Sequence, residues 1–159
     1  MKALIIYDSV YGNTEKVAQA IGYELGSRET VTILRVGDVK PEQLVNLDLL
    51  IVGSPTQAFN TTAAIKKLSA SIPRQGLKGV RVAAFDTRIS IDDFDSRILP
   101  PMVKIFGYAA KPIADRLEKK GGELVIPPEG FFVAGTEGPL KEGELERAAN
   151  WAQQIMAAG

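Results

Sequence analysis

The chain contains no cysteine and no histidine. The first absence excludes disulfides, thiolate nucleophiles and cysteine metal sites. The second removes imidazole acid–base chemistry and the commonest metal ligand, so no metal site is expected. Neither sign of charge is in excess, because 19 Lys and Arg balance 19 Asp and Glu. Broad binding to nucleic acid or to an anionic membrane surface needs a basic surplus, so neither is expected. No apolar run reaches transmembrane length, and the first apolar segment begins directly after Lys2 without the profile of a signal peptide; a cytoplasmic location is the expectation. Hydrophobic residues make up 45% of 159 positions, with mean hydropathy near zero, which is material for one domain with a sizeable core. No linker or internal repeat interrupts residues 1–159, so a single domain is expected.

What is present is organised around Lys2 to Leu25. The apolar run Ala3, Leu4, Ile5, Ile6 stops at Asp8 and Ser9, and a short polar loop, Ser9-Val10-Tyr11-Gly12-Asn13-Thr14, follows. Apolar residues then recur at Val17, Ala18, Ile21 and Leu25, which is helical spacing. The pattern is strand, hydroxyl-rich loop, helix. The first N–H groups of a helix lack partners within it, and such an end attracts a dianion. Gly12 permits close backbone approach. The loop lacks the Gly-x-x-x-x-Gly-Lys pattern of nucleoside triphosphate sites and the Gly-x-Gly-x-x-Gly of dinucleotide sites, so a single monoester phosphate fits better than a pyrophosphate.

Further along, Glu29–Val36 is rich in β-branched residues and predicts a second strand. Pro41 marks a possible short helix with Leu44, Val45 and Leu47 on its apolar face. Asp48–Gly53 is a continuous apolar run, expected of a strand covered on both faces. Ser54–Asn60 reads as a loop, and Thr61 or Thr62 caps a helix running to about Ala70. Arg81–Asp86 is the fourth strand and Thr87–Arg97 a second long loop. Met102–Lys120 is a helical stretch that Gly107 and Pro112 can interrupt. Glu123–Ile126 and Phe131–Val133 read as one last strand broken by Pro127-Pro128-Glu129-Gly130, and Gly143–Met156 as the terminal helix. Strand and helix alternate five times, which argues an α/β domain with a mostly parallel sheet and helices on both faces. Ligands of such sheets bind beyond the carboxyl ends of the strands, where the strand order reverses. The loops Asp8–Thr14, Ser54–Asn60 and Thr87–Arg97 should all lie at that edge.

Those loops resemble the flavodoxin family, itself a standard example of the rule just used. The resemblance covers the whole chain and is carried by Ser9-Val10-Tyr11-Gly12-Asn13-Thr14, Gly53-Ser54-Pro55-Thr56 and Phe85-Asp86-Thr87-Arg88. It implies a three-layer doubly wound five-stranded parallel sheet of order 2-1-3-4-5. It also implies a bound FMN, and with it a nucleotide-binding flavoprotein. Transferred to this chain, Ser9, Tyr11 through its N–H, Gly12, Asn13 and Thr14 hold the phosphate. Pro55, Thr56, Gln57, Ala58 and Phe59 contact one side of the isoalloxazine, and Thr87, Arg88, Ile89 and Phe94 the other. Phe59 either covers the flavin or plugs the core. Arg88 either stabilises reduced FMN, pairs with Asp86 or Asp92, or meets a substrate.

Two departures stand out. Tyr11 occupies a position where many flavodoxins have Thr. The single tryptophan, Trp151, lies in the terminal helix, far in sequence from the ring-contacting loops. The first loop's Tyr-Gly pair and the Ser-Pro-Thr loop look more like the flavodoxin modules of flavodiiron proteins and of quinone reductases. The function expected is an electron carrier that shuttles single electrons between redox partner proteins, with no catalytic residue of its own. The alternatives are an FMN-dependent NAD(P)H:quinone reductase and a flavodoxin-shaped interaction module without FMN.

Asp92, Asp93 and Asp95 cluster in the third loop. Full reduction of FMN creates an anion, and each carboxylate close to it adds repulsion of about 1 kcal/mol near water. Replacing Asp92 and Asp93 by Asn is therefore expected to raise the second reduction potential. Potentiometry that finds no change would make these carboxylates solvated surface only.

Overall fold

The computed structural model describes residues 1–26, 30–57, 60–89 and 108–158. Its elements are β1 (Lys2–Tyr7), α1 (Asn13–Gly26), β2 (Thr30–Arg35), two 3-10 turns (Val36–Asp38 and Pro41–Leu44), β3 (Leu49–Pro55), α2 (Ala63–Ser71), β4 (Arg81–Ile89), α3 (Ala110–Lys119), β5 (Glu123–Leu124), β6 (Glu129–Val133) and α4 (Glu144–Ala158). The sheet runs β2-β1-β3-β4-β5, every pairing is parallel, and β6 also pairs with β4. β5 lies against Arg81–Val82 and β6 against Phe85–Ile89, so the two short strands fill one edge position in succession. The expected order 2-1-3-4-5 is the order observed.

Both faces of the sheet are buried. Ala3, Ile5 and Tyr7 of β1 point into one core with α1 and α4, while Leu4 and Ile6 point into the other with α2 and α3. β3 divides in the same way, Leu49 and Ile51 against Leu50 and Val52. Alternation therefore places apolar residues at every position, which is why these strands read as continuous hydrophobic runs. Trp151 is a core residue. It packs edge-on against Phe85 and Phe131, and the three ring centroids stand 6.0–6.1 Å apart.

Several boundaries differ from the sequence expectation. β3 runs through Gly53 to Pro55. Gly53 does not end the strand; it is the place where the Phe85 ring lies against the backbone, and a Cβ there would overlap that ring. β4 runs on to Ile89 because Thr87–Ile89 pair with Phe131–Val133 of β6. The helix expected at Pro41 is a single 3-10 turn, in which Leu44 is half-buried and Val45 exposed. Pro112 does not break a helix, because α3 begins at Ala110 and its first-turn N–H groups need no helical partner. Residues 102–107, Gly107 among them, lie outside the described residues. Thr62 caps α2 as expected, accepting from the Ile65 amide at 3.4 Å.

The late strand β6 is fastened to α4 by charge. Glu144, the first residue of α4, accepts from the Phe132 amide at 2.7 Å and from Arg147 at 2.8 Å. Arg147 also reaches Glu129 at 3.1 Å, bonds the Gly130 carbonyl and lies over the Phe131 ring at 4.7 Å. Burial works to raise the Glu144 pKa, but the hydrogen bonds from Arg147 and the Phe132 amide outweigh it and hold the carboxyl below its ordinary value. A depressed carboxyl stabilises the fold above its unfolded pKa of about 4.3 and loses that contribution as pH falls through the folded value. Arg147 is partly exposed, which trims the worth of the pair. Glu144→Gln is expected to lower the unfolding free energy by about 1–2 kcal/mol at pH 7 in urea titrations. That deficit should shrink below about pH 4. An equal deficit at pH 3 and pH 7 would place its origin outside the ionised carboxylate.

Candidate functional site

The carboxyl ends of β1, β3, β4 and β6 converge on one edge of the sheet. A cavity of about 90 Å³ opens there, lined by the ends of β3, β4 and β6 and by the segment that follows β1. Its volume matches a phosphate-sized group more nearly than a whole flavin. Of the residues expected to bind, Ser9, Tyr11, Asn13, Thr14, Pro55, Thr56, Thr87, Arg88 and Ile89 line it. Gly12 and Gln57 lie in the same loops without lining it. Ala58, Phe59 and Phe94 fall outside the described residues, as do Asp92, Asp93 and Asp95.

The first loop is rigidly set. The Asp8 amide bonds the Gly53 carbonyl at 3.1 Å, the Ser9 amide bonds Asp8 Oδ1 at 2.9 Å, and Ser9 Oγ accepts from the Gly12 amide at 3.0 Å. Arg35, at the end of β2, donates to the Ser9 carbonyl at 2.8 Å and lies 3.7 Å from Asp8 Oδ1. Its guanidinium also stands 5.4 Å from the Tyr7 ring centre. Gly12 adopts φ +90°, and a Cβ there would meet nothing within 4 Å. The left-handed turn therefore swings the chain into α1 with open space before it. The first residues of α1, Asn13, Thr14 and Glu15, have backbone N–H groups with no intrahelical acceptor. Together with the Ser9 and Thr14 hydroxyls, they form a set of donors suited to an anion. Tyr11 is 52% exposed at the mouth of the loop.

The second and third loops are tied to each other and to the first. Ser54, fully buried, donates to the Pro55 carbonyl at 2.9 Å and accepts from the Thr62 amide at 3.1 Å. The Thr56 amide bonds the Thr87 carbonyl at 2.9 Å, and the Thr56 hydroxyl accepts from the Ala109 amide at 3.2 Å. Gln57 and Asn60 exchange two backbone bonds. Thr87 turns toward the first loop, its Oγ1 lying 2.8 Å from Thr14 Oγ1.

Of the roles open to Arg88, the structure assigns the pairing with Asp86. Its Nε and Nη2 contact the two Asp86 oxygens at 2.6 Å each, and Asp86 also accepts from the Ala110 amide at 2.9 Å. The guanidinium is packed between the Tyr108 ring, 3.8 Å to its centre, and the backbone of Gly130, where a Cβ would overlap it. Asp86 has no exposed surface. Burial pushes its carboxyl up, while Arg88 and the Ala110 amide pull it down. The pair adds little net charge to the cavity that Arg88 lines.

A fourth wall is absent from the sequence-based expectation. Val133 and Thr136 line the cavity. The Asn13 side chain donates to the Glu137 carbonyl at 3.1 Å, so its amide latches this loop to the start of α1. Gly135-Thr136-Glu137-Gly138-Pro139 is a turn-rich cluster directly after the last strand, and that was the available signal. A larger concavity exists at the opposite edge of the sheet, where the short 3-10 turn Pro41–Leu44 forms part of the lining. Among the described residues no group of three or more acidic, His or Cys side chains could hold a metal ion. None of their helices is long and apolar enough to cross a membrane.

A parallel sheet of this order, with a cavity beyond the carboxyl ends of its strands, defines a doubly wound α/β protein. The chain matches the family model described as Flavodoxin over residues 5–151, and it belongs to the flavodoxin family. Solved structures agree in fold. Oxidised Flavodoxin 1 from Bacillus cereus superposes with TM-score 0.78 at 17% identity, covering 99% of this chain and 98% of that one. A flavodoxin, WrbA-like protein from Agrobacterium tumefaciens gives 0.72 at 18%, covering 99% and 96%. Rubredoxin oxygen:oxidoreductase from Desulfovibrio gigas gives 0.74 at 21%, with 99% of this chain matching 35% of that longer one.

Removing Arg88 strands a buried carboxylate. Arg88→Ala is expected to cost about 3–5 kcal/mol of stability at pH 7 in chemical denaturation. A buried acid with a raised folded pKa destabilises as pH rises, so the deficit should be smallest below about pH 4, where the unfolded carboxyl is also protonated. Arg88→Ala with Asp86→Asn should recover part of the loss. A pH-independent deficit would locate it in lost packing on Tyr108.

Proposed function

We propose that this chain binds one FMN at the carboxyl edge of its sheet and carries single electrons between redox partner proteins. The observation that carries the reading is the donor set at the start of α1, where the Ser9 and Thr14 hydroxyls and the first helical amides meet at a phosphate-sized cavity. Ser9, Gly12, Asn13 and Thr14 hold the phosphate, and the exposed Tyr11 contributes its N–H. The Pro55–Phe59 loop flanks the ring on one side, and Thr87, Arg88, Ile89 and Phe94 on the other. Thr87 also braces Thr14 from behind through the hydroxyl contact already described. Bound FMN supplies the one- and two-electron chemistry, and the protein supplies position, electrostatics and exclusion of water. A carrier of this kind needs no protein general acid, in keeping with a chain that has no His or Cys. A cytoplasmic protein is the matching setting.

A second reading, an FMN-dependent NAD(P)H:quinone reductase, is favoured by Tyr11 in the first loop and by the Ser54-Pro55-Thr56 sequence. The two separate in one preparation. The purified protein is expected to take up one equivalent of FMN, to accept electrons in two resolved one-electron stages on photoreduction, and to oxidise NAD(P)H negligibly with quinone. Rapid NAD(P)H oxidation by the holoprotein alone would establish the reductase instead, and failure to take up FMN would leave an interaction module. Thr14→Ala should weaken FMN binding about tenfold or more, as loss of a charge-assisted hydrogen bond predicts. Unchanged affinity would mean that the phosphate lies elsewhere.

A further inference from the structure

The largest concavity among the described pockets, about 730 Å³, lies at the other end of the molecule, below the amino-terminal edge of β3 and β4. It exists because of one local departure from the layered plan. The crossover from β2 to β3 carries no α-helix, only the two 3-10 turns. Those turns are too short to cover the sheet face they cross. Leu47, Ile72 and Val80 form a buried floor, and Leu44 and Leu68 stand half-buried as walls. The volume falls within the range of about 300–1,000 Å³ occupied by small-molecule sites, which are likewise mostly apolar with a few polar groups.

The polar groups are of one sign. Lys40 and Lys78 line the groove, and no Asp or Glu does. Both lysines are exposed, and neither has a carboxylate within salt-bridge distance among the described residues. Asn46 adds an amide at the lining, where the chain turns through φ 59° into β3. An apolar trough with two unpaired ammonium groups complements a molecule with an apolar tail and one negative head. We infer that this groove is a second binding site, separate from the carboxyl-edge site, for a free amphipathic carboxylate with a medium-length alkyl or aromatic body. The tail lies over Leu47, Ile72 and Val80, and the head meets Lys40 and Lys78.

The test is an amide-resolved NMR titration of the intact protein with decanoate, kept below its micelle concentration. Saturable shifts are expected at Leu44, Val45, Ile72, Lys78 and Val80, unaltered when FMN is present in excess. Octanoate, two methylenes shorter, should bind about tenfold more weakly. Lys40→Glu with Lys78→Glu should weaken decanoate about tenfold, with circular dichroism unchanged because both side chains are exposed. Val45→Asp, at a side chain 54% exposed, should do the same without unfolding the protein. Any of three outcomes overturns the inference: no saturable shifts, shifts confined to Ser9–Thr14 and Pro55–Thr56, or equal affinity for decyltrimethylammonium. A protein that took up no FMN yet bound decanoate in the groove would refute the proposed function and leave this site standing.

Discussion

A carboxylate with no exposed surface must find a cation and hydrogen-bond donors or lose its charge. Asp86 meets that demand with Arg88 from its own strand and the Ala110 amide from the start of α3. The consequence spreads outward. Arg88 must lie flat, so it presses on the backbone of Gly130 in β6 and beneath the Tyr108 ring. One ion pair thus registers β4, β6 and the first turn of α3 against one another. The neighbouring Thr87 is held in turn, with its carbonyl on Thr56 and its hydroxyl at Thr14. These bonds cross-link the ends of β3 and β4 and the start of α1 beneath the carboxyl edge.

The two ends of the sheet present different groups. At the carboxyl edge the donors are mainly backbone amides and hydroxyls, and the charged groups are largely spent on one another, Arg35 on Asp8 and Arg88 on Asp86. Such a site selects by the placement of dipoles more than by net charge. At the amino-terminal edge the groove is lined mostly by apolar residues, and its Lys40 and Lys78 have no carboxylate within salt-bridge distance among the described residues. Both differences trace to local chain economy. The short β2–β3 crossover leaves a trough at one end, and the segments that follow β1, β3 and β6 build walls at the other.

Much of the architecture was legible in the residues themselves. Leu4-Ile5-Ile6 and Leu49–Val52 announce strands buried on both faces, and the helical spacing from Val17 to Leu25 announces α1. The first loop was legible because its hydroxyls, glycine and helix start are contiguous in the chain. What escaped was decided by distant partners. Gly53 and Thr87 have the composition of turns, yet both continue strands, because Phe85 covers one and β6 pairs with the other. The fate of Arg88 depended on Gly130 and Tyr108, which no local pattern connects to it. The fourth wall escaped for a plainer reason. Pro127-Pro128 marks the start of β6, whereas the lining comes from its last residue, Val133, and from Thr136 in the turn cluster that follows.

Trp151 carries a consequence of another kind. It is the only tryptophan in the chain, 3% exposed, with its ring edge-on against both Phe85 and Phe131. Those rings belong to α4, β4 and β6, so its emission is a single-site optical gauge of whether the last helix is seated on the sheet. A shift to longer wavelength would mark undocking of α4 as a discrete event, separable from melting of the backbone seen by far-ultraviolet dichroism. Because Phe85 also covers Gly53 at the root of the second loop, that gauge sits one ring away from the scaffold of the carboxyl-edge site.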